Sequence, residues 1–132
     1  MTRRPIDTAG APRPVGPYSQ GVWAGDLVFC AGQVGLDPAT GRLVAGGTVA
    51  ELRQALANLA AVLAGAGLDL GAIVKTTLFL VDLADGPAVN ALYGETFAAP
   101  YPARSTVQVA ALPAGARVEI EAIATRSGRT AS

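Results

Sequence analysis

Few side chains in this 132-residue chain are equipped for chemistry, and the missing one narrows the choice most: there is no histidine. The side chain that most often serves as base, proton shuttle or metal ligand near neutral pH is therefore excluded. Serine or cysteine triads with a His base are impossible. So are zinc sites built on His or several Cys, because Cys30 is the only cysteine. The carboxylates cluster in no loop, which leaves a site of Asp and Glu alone without candidates. Any reaction must be carried by Glu, Asp, Tyr, Lys, Arg, backbone amides and water. Cys30, lacking a His partner, reads as a small buried hydrophobe, and Lys75, a lone lysine in a strand, as a side chain snorkelling from an edge to water.

Two stretches near the C-terminal end place charged residues in strand-like alternation. Alternation over 104–109 puts Arg104, Thr106 and Gln108 on one face and Ser105, Val107 and Val109 on the other. Over 117–124, Arg117, Glu119, Glu121 and Ile123 oppose Val118, Ile120, Ala122 and Ala124. If these two strands form a hairpin, its apolar face meets helices and its charged face points to solvent or into a contact between subunits. Alternation alone leaves both open. An arginine at such a contact can hold a carboxylate in a bidentate fork and stays charged at any working pH, so Arg104 is the candidate anchor. A simple hairpin register puts Glu119 near Gln108, about 13 Å from Arg104 at the usual strand rise. One small ligand then reaches both groups only if they come from different neighbourhoods, such as two subunits.

The elements that must position these groups can be followed along the chain. Residues 1–15, rich in Pro, Arg, Gly and Ala without a period, read as a loosely held arm, and 127–132 as a tail. Residues 18–23 and 27–32, separated by Ala24, Gly25 and Asp26, predict a hairpin, followed by a turn over 37–41. A helix is expected over 48–66: Thr48 and Glu51 have capping-box spacing, Leu52, Leu56, Leu59 and Leu63 form an apolar stripe, and Gly65 and Gly67 stop it. The run 73–83 predicts a central strand covered on both faces. Asp85, Gly86 and Pro87 open a second helix with Val89, Leu92, Tyr93, Thr96 and Phe97 inward, and Pro100 and Pro102 prevent its continuation. The order ββαβαββ suits one α+β domain, a mixed sheet with two helices on one face. With no third helix for the other face, self-association is the economical cover.

Ten basic and ten acidic residues cancel, which argues against a nucleic-acid partner. No apolar run is long enough to span a bilayer and the N-terminal stretch lacks the apolar segment of a signal peptide, so a cytoplasmic location away from membranes is expected.

Six collinear motifs carry a further signal: GPYSQG at 16–21, AGQVGLDPATG at 31–41, IVKTTLFLVDL at 73–83, VNALY at 89–93, YPARSTVQVAALP at 101–113 and VEIEAIA at 118–124. Together they resemble the RidA (YjgF) family of reactive-intermediate deaminases. The resemblance implies a chorismate-mutase-like fold, a homotrimer with sites in its intersubunit clefts, and hydrolysis of 2-imino acids or their enamine tautomers, such as 2-iminopropanoate, to 2-keto acids and ammonia without a cofactor. It implies that Arg104 clamps the substrate carboxylate and Glu119 holds or activates water. Tyr18 and Asn90 would line the pocket, and the backbone at Gly32 and Thr106 would supply hydrogen bonds. Without the resemblance, Tyr18 reads as a strand aromatic, Asn90 as an exposed helix residue and Glu119 as an interface ion-pair partner. The chain departs from many deaminating members at Ala31, where they have Ser, at Gly35, where they have Pro, and at Thr106, where they often have Cys. Partial burial or the like-charged Glu121 would raise the pKa of Glu119 toward that of a useful base. A non-catalytic keto-acid binder and a chaperone-like protein of the same fold are the alternatives; RNA cleavage, also linked to the family, is disfavoured by the neutral charge and absent histidine.

Overall fold

Gly25 adopts φ 61°, a conformation open to glycine at little cost, and turns Gly21–Ala24 back on Leu27–Gln33 as an antiparallel hairpin. A computed structural model describes residues 3–126 of the chain. In front of the hairpin lies a strand that composition concealed: Arg4–Ile6 (β1) pairs with Gly21–Ala24 (β2), which pairs with Leu27–Gln33 (β3). The expected loose arm is therefore corrected. Ile6 and Ala11 are buried, and the buried amide of Gln20 accepts from the Thr8 N–H at 2.7 Å and donates to the carbonyls of Thr8 and Pro12 at 3.0 Å. One side chain staples the segment down. The tail over 127–132 lies outside the described residues.

Thr48–Gly65 (α1) buries the whole predicted stripe, Leu52, Leu56, Leu59 and Leu63. Gly67, at φ 74°, terminates it, with the Leu68 N–H returning to the Leu63 carbonyl. The capping box does not form. Thr48 Oγ1 donates to Asp85 Oδ2 at 2.7 Å and accepts from Arg117 Nε at 2.8 Å, while Glu51 Oε1 accepts the Arg117 backbone N–H at 2.7 Å. Both side chains turn inward because tertiary partners satisfy them while they are nearly buried.

Ile73–Leu80 (β4), Gly86–Thr96 (α2) and Ala103–Gln108 (β5) make a parallel βαβ unit. Val118–Thr125 (β6) then inserts between β3 and β4, antiparallel to both. The sheet order is β1-β2-β3-β6-β4-β5. The expected C-terminal hairpin is thus overturned: β5 and β6 are not neighbours, because β6 gains two hydrogen-bonded partners in the middle of the sheet. β5 is an edge strand with every residue exposed.

Both helices cover one face, as expected for this α+β arrangement. Val28, Leu78, Leu80, Val118, Ile120 and Ala124 lie beneath them, each fully shielded from water. The opposite face presents Leu27, Phe29 and Val107, each roughly 40% exposed, and no element among the described residues covers it. β4 is accordingly covered on one face within the chain rather than on both, and its buried residues alternate with more open ones. No helix among the described residues is long and apolar enough to cross a membrane.

Candidate functional site

Arg104 and Glu119 stand on opposite faces of the sheet. Through β4, Arg104 registers with Thr76 and Glu119 with Phe79. Positions 76 and 79 differ by an odd number, so their side chains point to opposite sides. The shared face expected from a hairpin is overturned along with the hairpin. Two strand spacings across and three residues along separate the two Cα atoms by roughly 14 Å. Within one chain the groups form two half-sites.

The first half-site lies on the helix side of edge strand β5. The guanidinium of Arg104 sits over the ring of Tyr93, 4.7 Å from its centroid, and among the described residues no carboxylate is within ion-pair distance. Thr106, two residues on, shares this face and is exposed. Asn90 is exposed on α2, one helical turn before Tyr93. Arg104 and Thr106 thus share the helix side of β5, and Asn90 stands one helical turn from the ring beneath Arg104.

The second half-site is on the uncovered face. Glu119 is half-buried, and burial, followed by the charge of Glu121, pushes its pKa above the ordinary carboxylate value. The sequence reading anticipated both causes. Gly32 is what admits the carboxylate: a Cβ there would lie 2.7 Å from Glu119 Oε2 and 2.8 Å from its Cδ. The missing side chain, more than a backbone hydrogen bond, is the visible contribution of Gly32. Tyr18 stands in the loop before β2 rather than in the strand, about half exposed, its hydroxyl 3.5 Å from the Val15 N–H. It lines a cleft of about 690 Å³ with Phe29, Cys30, Ala31 and Glu121. Tyr18 therefore sides with the Glu119 face rather than with Arg104.

The surrounding structure holds these groups by polar contacts. Asn58, buried in α1, donates to the carbonyls of Val34 and Leu36 at 3.2 and 2.8 Å, fixing the segment that follows Gly32. Gly35 is required where it stands, since a Cβ would meet the Glu51 backbone at 2.7 Å. Cys30 is buried and its thiol is pushed up to about 12 by desolvation, as expected of an inert core residue. Lys75 is not at an edge: its Nζ donates to the Thr76 carbonyl at 2.9 Å and to Thr77 Oγ1 at 3.3 Å. Among the described residues, no group of three or more Cys, Asp or Glu side chains is placed to hold a metal ion. The sequence reading left Tyr93 as a core residue; the one signal was a hydroxyl on an inward helix face, which demands a buried partner.

A family model described as Endoribonuclease L-PSP matches residues 8–126. The 2-iminobutanoate/2-iminopropanoate deaminase of Mus musculus is 51% identical over 124 residues, spanning 94% of this chain and 92% of that one. The human protein of the same name is 48% identical over 124 residues, spanning 94% and 90%. A crystal structure of RidA from an Antarctic Psychrobacter superimposes with a TM-score of 0.89 at 43% identity, covering 92% of this chain and 98% of that one. The YjgF gene product of E. coli does so with a TM-score of 0.85 at 45% identity, covering 93% and 98%. With the motif order, the fold and these relatives in agreement, the chain belongs to the endoribonuclease L-PSP family, also known as the RidA family.

Proposed function

We propose that the chain hydrolyses 2-imino acids or their enamine tautomers, such as 2-iminopropanoate, to 2-keto acids and ammonia, at sites completed between two copies in a homotrimer. One observation carries the reading: a guanidinium with no carboxylate partner among the described residues and a half-buried carboxylate of raised pKa stand on opposite faces of one sheet. A substrate bearing both a carboxylate and an electrophilic C=N carbon needs both groups at once, so the two half-sites must meet across a subunit contact. The exposed apolar residues of the helix-free face and the all-exposed edge strand supply surface for that contact. The deaminases at about half identity favour the same chemistry.

In this mechanism Arg104 grips the substrate carboxylate through paired N–H groups, fixing the imine carbon. Glu119 accepts a proton from water as the water oxygen bonds to that carbon and the C=N pair moves to nitrogen. The proton passes to the nitrogen to give a carbinolamine; Glu119 then takes the hydroxyl proton as the keto group forms and delivers it to the departing nitrogen, so that the C–N bond breaks with its electrons on ammonia. Glu119 ends in its starting state and no oxidant or cofactor is consumed. Tyr18 and Asn90 line the site, and main-chain groups at Gly32 and Thr106 contribute hydrogen bonds.

The decisive measurement is the lifetime of 2-iminopropanoate generated in situ by an amino acid oxidase. Wild type should shorten it, Arg104→Ala and Glu119→Gln should each abolish the effect, and the two variants mixed after subunit exchange should recover activity. Random assortment leaves about a quarter of intersubunit sites with both native residues. No acceleration by wild type would refute deamination; inactive mixtures of exchanged variants would refute the shared site.

A second reading, a keto-acid binder without turnover, is favoured by Ala31, which lacks the hydroxyl many deaminating relatives carry there. Calorimetry would then show keto-acid binding lost in Arg104→Ala while the imine lifetime is unaffected by the wild-type protein.

A further inference from the structure

Arg104 projects from an edge strand in which every residue is exposed, and a long side chain free to rotate must surrender rotamers whenever it grips a ligand. Its restraint is the ring of Tyr93, 4.7 Å beneath the guanidinium carbon. Tyr93 is itself immobilised: it is buried, its ring packs on Phe97 with centroids 4.5 Å apart, and its hydroxyl shares a 2.7 Å hydrogen bond with Thr76 Oγ1. Thr76 is fully buried, and it is the cross-strand partner of Arg104. One residue of β4 thus sets both the backbone from which Arg104 springs and the ring on which it rests.

We propose that Tyr93, anchored by Thr76, is a positioning residue whose ring serves as a floor holding the Arg104 guanidinium ready for the substrate carboxylate. This rests on the reading of Arg104 as the carboxylate anchor. A guanidinium lying on an aromatic ring by its flat face keeps its N–H edge free, and that edge is what a carboxylate fork requires. A core phenylalanine in place of Tyr93 would supply the floor but not the bond to Thr76; an aliphatic residue would supply neither.

The test is calorimetric binding of 2-oxobutanoate to wild type, Arg104→Ala, Tyr93→Phe, Tyr93→Leu and proteins carrying phenylalanines with successive ring fluorines at position 93. Tyr93→Leu should weaken binding by about 2- to 30-fold, the span of a cation–π contact, and Tyr93→Phe, which keeps the ring but loses the bond to Thr76, should weaken it by less. Fluorines withdraw charge from the ring face while nearly preserving its shape, so affinity should fall stepwise along that series even if Tyr93→Leu fails to fold. In turnover the same series should raise KM and leave kcat nearly unchanged, as expected for a contact made equally in ground and transition states. A flat fluorine series with binding still lost in Arg104→Ala would overturn the role of Tyr93 alone. Undiminished binding by Arg104→Ala would overturn the anchor reading, and the floor with it.

Discussion

Two polar regions of the molecule treat charge in opposite ways. At the junction of α1, α2 and β6, Arg117 pairs with Asp85 at 3.1 Å, Thr48 bonds both, and Glu51 takes the Arg117 N–H. Every partner there lies within the same chain, and Asp85 is held below its ordinary pKa chiefly by the Thr48 hydroxyl, with Arg117 adding to the effect. At the half-sites neither charge has an ion-pair partner among the described residues. Glu119 has a like-charged neighbour and a raised pKa, and Arg104 lies over the face of the Tyr93 ring. The first arrangement joins elements through its polar groups; the second, on the function proposed above, keeps its groups for a substrate. A carboxylate raised by burial and a like charge is a candidate for chemistry on physical grounds.

The contrast can be broken most sharply at Glu119. Glu119→Gln should lower kcat for imine hydrolysis by about 10²- to 10⁴-fold, the usual share of a positioned base, while calorimetry shows keto-acid binding largely kept. Next in size, Gly32→Ala should cost about 10- to 100-fold in kcat/KM, because the new methyl occupies the place of the carboxylate and displaces it. At the junction the sign of the experiment reverses: Arg117→Ala should leave steady-state turnover near wild type and lower stability by about 1 kcal/mol in urea denaturation, the scale of a partly exposed ion pair.

The smallest effects are the pH slopes of stability, and they should oppose one another. The lowered pKa of Asp85 contributes stability that is present above its unfolded pKa and is lost as pH falls through the folded value. Asp85→Asn should therefore be less stable than wild type at neutral pH and converge with it in acid. For Glu119 the folded pKa is raised, so the folded state binds more protons and stability declines as pH rises from the unfolded pKa through the folded one. Glu119→Gln should gain slightly on wild type at neutral pH and lose that gain in acid. Parallel denaturation series for the two variants would expose any error in either sign.

Much of this was legible in the residues because it depends on near neighbours in sequence. The leucine stripe of α1 declares its buried face over adjacent turns, Pro87 opens α2, and Gly25 permits the first hairpin. Arg104 was a candidate from strand alternation and residue type, whereas Glu119 owed its proposed role to the motifs that hold it. Thr48 and Glu51 misled because capping-box spacing is a local rule, and their actual partners, Asp85 and Arg117, are 37 to 69 residues away. The strand Arg4–Ile6 was hidden because its hold comes from β2 and from Gln20 rather than from its own composition.

By itself the sequence determined the elements after β1 and which side chains are available to react, since periodicity, turn residues and functional groups are carried by the chain wherever it goes. Only the tertiary structure decided that β6 runs between β3 and β4, and with it that Arg104 and Glu119 face apart. Strand order is a choice among distant partners offering nearly equivalent backbone hydrogen bonds, settled by the packing of the whole core, and a side chain's face follows from that choice.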